Sequence, residues 1–481
     1  SHLGCNCPGS FISVLGKEQT GQSVCPGTFV IAYTNSTGTA VAKTYLINGT
    51  LWDGNCENIQ TKIELSLPRN ITYNNNFSIE FNYTPSSDFA SCWYTLNGGN
   101  RVDISCLGYN LGNSLNVSSE GGYNLMVFVS DATGHTNSTG VNFTVNFCSG
   151  QENWVIDGGG GPTNASLPFL VCENKTIILD ENLTIKNYGN LTFRNITLIV
   201  NNTVWNNTIL VDNFGNFSIL SNGFYPSKIN ATSPGGSYVF IVNATSRFFV
   251  KDSSIFYAGI ISGTDLLSIT RNGLYIAADN ASVINTTIVS FINSTDTSND
   301  VNVISIVNAS YVLFDRVMVN MSANGSSVNI LRNTIYLANT SNSNFTDVVI
   351  NYSLKSKGFK LEGRSDNNTF DRVIIDSDMT PFSILDSVGN KIYNSILVVK
   401  STTGSGPQAI LLGAANNTII KNTTISRIPG QTIILVTRLG AGRPTQNLTI
   451  HDSFFNSGGS AALSNIGVNN TYILNSNFSK T

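Results

Sequence analysis

The sequence predicts an all-β protein: a long parallel β-solenoid behind a disulfide-stapled β front. Three observations predict it. A nine-residue frame recurs eleven times between Asn190 and the C-terminus, all eight cysteines fall within the first 172 residues, and residues 60–148 alternate apolar and polar side chains in short runs.

The frame carries a large apolar residue at its fourth and ninth positions. The fourth positions read Phe193, Ile219, Val250, Val283, Leu313, Phe345, Phe370, Tyr393, Ile420, Ile450 and Ile473. The ninth read Leu198, Phe224, Ile255, Ile288, Met318, Ile350, Ile375, Val398, Ile425, Phe455 and Phe478. Every slot is apolar in a chain that is 41% hydrophobic, so chance is a poor explanation. Successive copies start 23 to 33 residues apart, which with a period-two alternation is the spacing of β-solenoid coils. The sixth position breaks the alternation. It holds Asn195, Ser221, Asp252, Asn285, Asp315, Asp347, Arg372, Ser395, Asn422, Asp452 and Asn475. Asn and Asp tolerate the left-handed backbone that a two-residue corner needs, so each frame is read as strand, corner, strand.

Stretches such as Asn416-Asn417-Thr418-Ile419-Ile420-Lys421-Asn422 and Asn367-Asn368-Thr369-Phe370-Asp371 resemble the repeats of NosD-like and pectin-lyase-like proteins. The resemblance covers roughly residues 165–481 and implies a right-handed parallel β-helix of about 11–12 coils. That scaffold hosts enzymes, adhesins and structural proteins, so it implies no single activity.

The front divides into a small disulfide-stapled β unit at 1–58 and a β-sandwich at 59–149, with a Gly-rich junction at 150–164 leading to the helix at 165–481. Strand-like runs Thr28–Tyr33 and Val41–Ile47 mark the first unit. The pattern Cys92-Trp93-Tyr94-Thr95-Leu96-Asn97-Gly98-Gly99, followed by Val129-Ser130-Asp131-Ala132-Thr133-Gly134, resembles immunoglobulin-like modules of archaeal surface proteins. It departs from antibody domains, whose core disulfide spans a longer segment. Cys5, Cys7, Cys25, Cys56, Cys92, Cys106, Cys148 and Cys172 form an even set that reads as a disulfide framework. Locality favours Cys92–Cys106 within the sandwich and Cys148–Cys172 as a clamp onto the first coil.

Charged residues are only 11% and the net charge is −3, without a basic patch, which excludes nucleic acid as a partner. About 33 Asn-x-Ser/Thr sites point to an exported chain carrying covalent N-glycans. The candidates in the front half are Asn35, Asn48, Asn70, Asn76, Asn82, Asn116, Asn137, Asn142, Asn164, Asn174, Asn182, Asn190, Asn201, Asn206 and Asn216. Those further on are Asn230, Asn243, Asn280, Asn293, Asn308, Asn320, Asn324, Asn339, Asn344, Asn351, Asn367, Asn416, Asn447, Asn469 and Asn477. Asn195, Asn285 and Asn422 also head sequons, but an inward side chain at a corner would carry no sugar. The chain starts at Ser1, read as the mark of a removed leader, and no apolar run is long enough to cross a membrane. The expected location is therefore extracellular, at the cell surface.

Chemistry-bearing motifs are sparse. Gly158–Gly161 lacks the Lys and helix start of a phosphate loop, and His2, His135 and His451 are too few and scattered for a metal centre, so no cofactor is implied. The densest acidic group, Asp366, Asp371, Asp376 and Asp378 with Arg364 and Arg372, could serve hydrolysis only if it converged in one groove. It is read instead as a solvated face, with no catalytic residue. The last frame ends at Phe478, leaving no room for a cap, so the expected function is a non-enzymatic surface filament or lattice built from copies of the chain, head to tail. A glycan-binding adhesin is the first alternative. A polysaccharide-active enzyme or viral tailspike on the same scaffold is the second.

Overall fold

A computed structural model of the chain describes residues 27–34, 40–47, 63–73, 79–85, 89–106, 113–117, 120–131, 136–150, 153–158, 169–201, 207–223, 225–232, 238–258, 272–292, 301–323, 332–353, 356–400, 408–427, 433–437, 444–457, 463–465 and 468–480. All regular structure there is β, in two compact units, Ser1–Asn146 and Phe147–Thr481.

In the first unit, Gly27–Thr34 and Ala40–Ile47 pair as an antiparallel hairpin, so both strand-like runs are strands. A five-stranded sheet orders Thr72–Tyr73, Thr136–Val145, Gly121–Asp131, Phe89–Leu96 and Val102–Ile104, and a three-stranded sheet holds Ile63–Leu67, Ile79–Pro85 and Asn113–Leu115. Alternation decides the buried faces: Ile79, Phe81 and Tyr83 are buried along one strand, and Leu125, Val127 and Val129 along another. Asn97 and Gly98 take φ of 52° and 67°, the left-handed pair of a tight hairpin turn. Cys92 and Cys106 form a disulfide across the strand pair that this turn joins. Cys5, Cys7, Cys25 and Cys56 lie outside the described residues.

The second unit is a parallel β-helix of three twelve-stranded parallel sheets. Sheet 1 starts at Trp154–Asp157, sheet 2 at Phe169–Glu173 and sheet 3 at Thr176–Leu179; each later coil adds one strand to each. The first strand thus lies within the stretch expected to be a junction. Cys148 and Cys172 are bonded, and both belong to this unit, so the bond ties Cys148 to the first strand of sheet 2 inside the helix unit.

Between sheets 2 and 3 the chain turns through one left-handed residue at Asn174, Asn195, Asp252, Asn285, Arg316, Asp347, Arg372, Asn394, Asn422, Asp452 and Asn475, with φ of 44–55° among these. The third coil differs, with a longer connection between Leu220 and Lys228 in which the expected corner Ser221 is not left-handed. A buried residue follows, and where it is Ser or Thr its hydroxyl donates to the carbonyl two residues back, as Ser253, Thr286, Ser395, Thr423 and Ser453 do. The corner side chains are not inward. They run up the outside as a ladder: Asn195 Nδ2 donates to Asn174 Oδ1 at 2.9 Å, Asn285 to Asp252 at 2.7 Å and Asn422 to Asn394 at 2.7 Å.

Two frames are corrected by one residue. The corner residues are Arg316 and Asn394 rather than Asp315 and Ser395, so Phe314, Val319, Ile392 and Leu397 fill the core while Leu313, Met318, Tyr393 and Val398 face outward. In both, neighbouring positions are apolar, so alternation alone leaves the phase open. Phe224 lies outside the described residues; Ile229 holds its expected place in the core. The other ninth-position residues up to Phe455 are buried as expected, and in the last copy Ile473 is 43% exposed. Phenylalanines make the middle of the core: Phe345 stacks on Phe370 with centroids 5.0 Å apart, and Phe359 on Phe382 at 5.2 Å.

Phe370→Ala should cost about 3–5 kcal/mol in urea unfolding, whereas Tyr393→Ala, on the outer side of the next coil, should cost under about 1 kcal/mol. Equal losses would contradict the one-residue phase shift. Replacing Cys148 and Cys172 by Ser should cost about 3 kcal/mol, read by the same titration.

Candidate functional site

The four expected aspartates do not converge. Asp366 lies at the corner between sheets 1 and 2, where Oδ1 accepts from the Val388 amide at 2.7 Å. Asp371 ends a strand of sheet 2, Asp376 sits within a strand of sheet 3 and pairs with Lys400, and Asp378 follows that strand. Arg364 occupies a left-handed turn after sheet 1, with φ of 65°. Arg372 is the only one of the two arginines seen to hold the group's carboxylates: it forks onto Asp347 through Nε at 2.6 Å and Nη2 at 2.8 Å, and binds Asp371 through Nη1. Asn394 completes the row by donating to Asp371 at 2.6 Å. The hydrogen bond from Arg372 holds the Asp347 carboxyl below the ordinary carboxylate range, and Asp347 in turn raises the guanidinium's affinity for its proton. This is a charged rung of the corner ladder. Among the described residues, no three His, Cys, Asp or Glu side chains group to hold a metal ion.

A different cluster, which the sequence reading misses, stands on sheet 1. Tyr275, Ser305, Tyr336, Lys360 and Ser383 align in register on five successive strands. The Tyr336 hydroxyl donates to the Glu362 carboxylate. Lys360 Nζ lies 3.1 Å from the other Glu362 oxygen and 5.3 Å from the Tyr336 ring centre. The Lys360 side chain is only 12% exposed, so its pairing with Glu362 is partly shielded from water.

Buried polar groups flank these three residues. Asn333 Nδ2 donates to Asn302 Oδ1 at 2.7 Å, and Asn302 Nδ2 donates to Ser305 Oγ at 3.0 Å. Asn333 Oδ1 and Ser383 Oγ are buried without a hydrogen-bond partner. A buried polar atom left unpaired costs about 1–3 kcal/mol. Ten other such atoms occur among the described residues, and what sets Asn333 and Ser383 apart is their place beside the bonded trio. Burial raises the Tyr275 phenol above its usual range, which keeps it a neutral donor. Phenol, carboxylate and ammonium in mutual contact are a proton donor, a proton acceptor and a charge to steady them. A signal for this was present. Lys360 and Glu362 lie two residues apart on one strand, hence on one face, in a chain with few charges.

Of the described candidate sequon asparagines, Asn174, Asn280, Asn308, Asn339, Asn367 and Asn447 are exposed and left-handed. Asn82, Asn190, Asn230 and Asn320 instead have a buried, unpartnered Oδ1. Asn35, Asn48, Asn76, Asn164, Asn206, Asn293 and Asn324 lie outside the described residues.

By sequence, no protein family and no curated protein matches the chain. Its fold is similar to solved right-handed parallel β-helices of the pectin-lyase type. The mannuronan C-5 epimerase AlgE6 A-module of Azotobacter vinelandii is 12% identical with a TM-score of 0.44, over 68% of this chain and 89% of that one. The periplasmic alginate epimerase AlgG is 10% identical, with a TM-score of 0.40 over 63% and 78%. The family 28 exopolygalacturonase of Yersinia enterocolitica is 8% identical, with a TM-score of 0.33 over 84% and 97%. These are polysaccharide-active enzymes. They stand against the expectation of a non-enzymatic structural subunit polymerising head to tail; at such identities and TM-scores the likeness is one of fold and assigns no activity to this chain.

Asp347 has a folded pKa below its unfolded value, so its pairing stabilises the chain above the ordinary carboxylate range and is lost as pH falls through the folded value. Thermal unfolding of Arg372→Gln should therefore begin slightly below wild type at neutral pH, and the two melting curves should converge in acid. A constant gap at all pH values would contradict the pairing.

Proposed function

We propose that the chain is a polysaccharide-active enzyme on a parallel β-helix, with Tyr336, Glu362 and Lys360 as its proton-transfer centre. The observation that carries this is the bonded trio on sheet 1, flanked by Asn333 and Ser383 with unpaired buried oxygens. In this reading Glu362 takes a proton, Tyr336 delivers one, and Lys360 steadies negative charge developing on the substrate. Proton transfer beside a sugar carboxylate suits this set. Two-carboxylate hydrolysis by Asp366, Asp371, Asp376 and Asp378 does not, because they are dispersed over a corner and two sheets. Dense sequons and the disulfides support an extracellular site of action, and the strand pattern of the front unit supports an immunoglobulin-like accessory module.

The test is turnover of alginate, polygalacturonate and α-1,3-glucan. Unsaturated ends are followed by ultraviolet absorbance, epimerisation by deuterium uptake from solvent, and hydrolysis by reducing ends. An acidic polymer should turn over, and Tyr336→Phe and Glu362→Gln should each lower kcat by about 10²–10⁴-fold with the β-sheet circular dichroism unchanged. Wild-type rates in both variants, or no turnover of any polymer, would refute the proposal.

A further inference from the structure

Three aromatic side chains on the ridge between sheets 1 and 2 stand on backbone that disfavours them. Tyr188, Phe214 and Tyr311 hold φ of 68°, 64° and 59°. Left-handed backbone suits Gly and Asn, and bulky side chains are its rarest occupants. The contrast is sharpest at Tyr311. Its amide bonds to the next coil as do those of Asn280, Asn342, Asn367 and Gly389 in the coils around it, so the same column is otherwise filled by the residues the backbone prefers. Yet Tyr311 is 62% exposed and Phe214 is 44% exposed, so burial repays little of that strain.

The rings have a geometry of their own. Tyr188 and Phe214 stack in parallel, with centroids 4.8 Å apart and planes within 2°. Tyr311 stands three coils further along, about 14 Å at the spacing of neighbouring strands. Amide rungs flank them: Asn187 Nδ2 lies 3.0 Å from both Asp157 carboxylate oxygens, and Asn339 Nδ2 donates to Asn308 at 3.0 Å. Flat apolar faces beside hydrogen-bonding amides fit a pyranose ring, whose C–H face is apolar and whose rim is hydroxyl.

We propose that this ridge is a docking track for an extended polysaccharide, with Tyr188, Phe214 and Tyr311 stacking on its sugar rings ahead of the Tyr336–Glu362–Lys360 cluster, which lies one and two coils beyond Tyr311. The placement rests on the polysaccharide reading above but uses none of the proton-transfer residues.

Affinity electrophoresis through gels containing alginate, polygalacturonate or α-1,3-glucan tests it. The triple variant Tyr188→Asn, Phe214→Asn, Tyr311→Asn should be retarded about tenfold less than wild type by the polymer that binds. Its melting temperature should equal or exceed that of wild type, because Asn suits the left-handed backbone. Glu362→Gln should be retarded like wild type, so a failure of the proton-transfer assignment and a failure of the track give different results. The track is refuted if the triple variant is retarded as strongly as wild type, if it melts earlier with retardation intact, or if no polymer retards the wild type.

Discussion

The constraint beneath the helix unit is the corner between sheets 2 and 3, turned in every coil but the third by a single left-handed residue. One such residue reverses the side-chain phase, so the residue after it points inward and the strands on either side keep their apolar positions in the same core. Asn is the commonest occupant because its short amide tolerates that backbone and then bonds to the corner amide or carboxylate one coil away. Where Arg stands there instead, as at Arg372, charge replaces the amide, and Asp347 and Asp371 supply the matching rungs. The core columns follow from this corner and do not produce it. Shift it by one residue and Phe314 exchanges places with Leu313.

That dependence explains what the sequence made legible. Eight frames carry the corner residue where the repeat places it, and in all of them but the last the fourth and ninth positions lie in the core. The frame at Ser221 gives way to a longer connection, and the phase fails at Arg316 and Asn394, because Leu313-Phe314 and Leu397-Val398-Val399 offer apolar side chains to both faces. The disulfide between Cys92 and Cys106 was legible from spacing. The proposed proton-transfer cluster was not, because Tyr336 is 24 residues from Lys360 and only the stacking of two coils makes them neighbours. Acid density along the chain pointed to Asp366–Asp378, and the coil then distributes those carboxylates around its circumference.

The same corner chemistry bears on the sequons. A left-handed Asn, one buried residue and then the first outward residue of sheet 3 gives Asn195-Ile196-Thr197, Asn285-Thr286-Thr287 and Asn422-Thr423-Thr424. Thr is well suited to the start of an exposed strand, so turn and strand preferences alone write the Asn-x-Thr pattern. Part of the high sequon density is therefore a product of the fold. The compartment argument rests more firmly on the disulfides than on the count of Asn-x-Ser/Thr.

A helix built from repeating corners leaves its outward positions free to differ, and it is there that the exceptions gather. Tyr311 departs from a column of Asn and Gly, and Lys360 and Glu362 put opposite charges on a sheet whose aligned neighbours include Ser305, Tyr336 and Ser383. Asn333 and Ser383 keep buried oxygens unpaired when exchange for an apolar residue would remove the cost. Each departure opposes folding locally, and the coils on either side tolerate it because the strands there are hydrogen-bonded above and below. A regular core thus permits an irregular surface, and departures that cost stability without serving the core are where a ligand is to be sought.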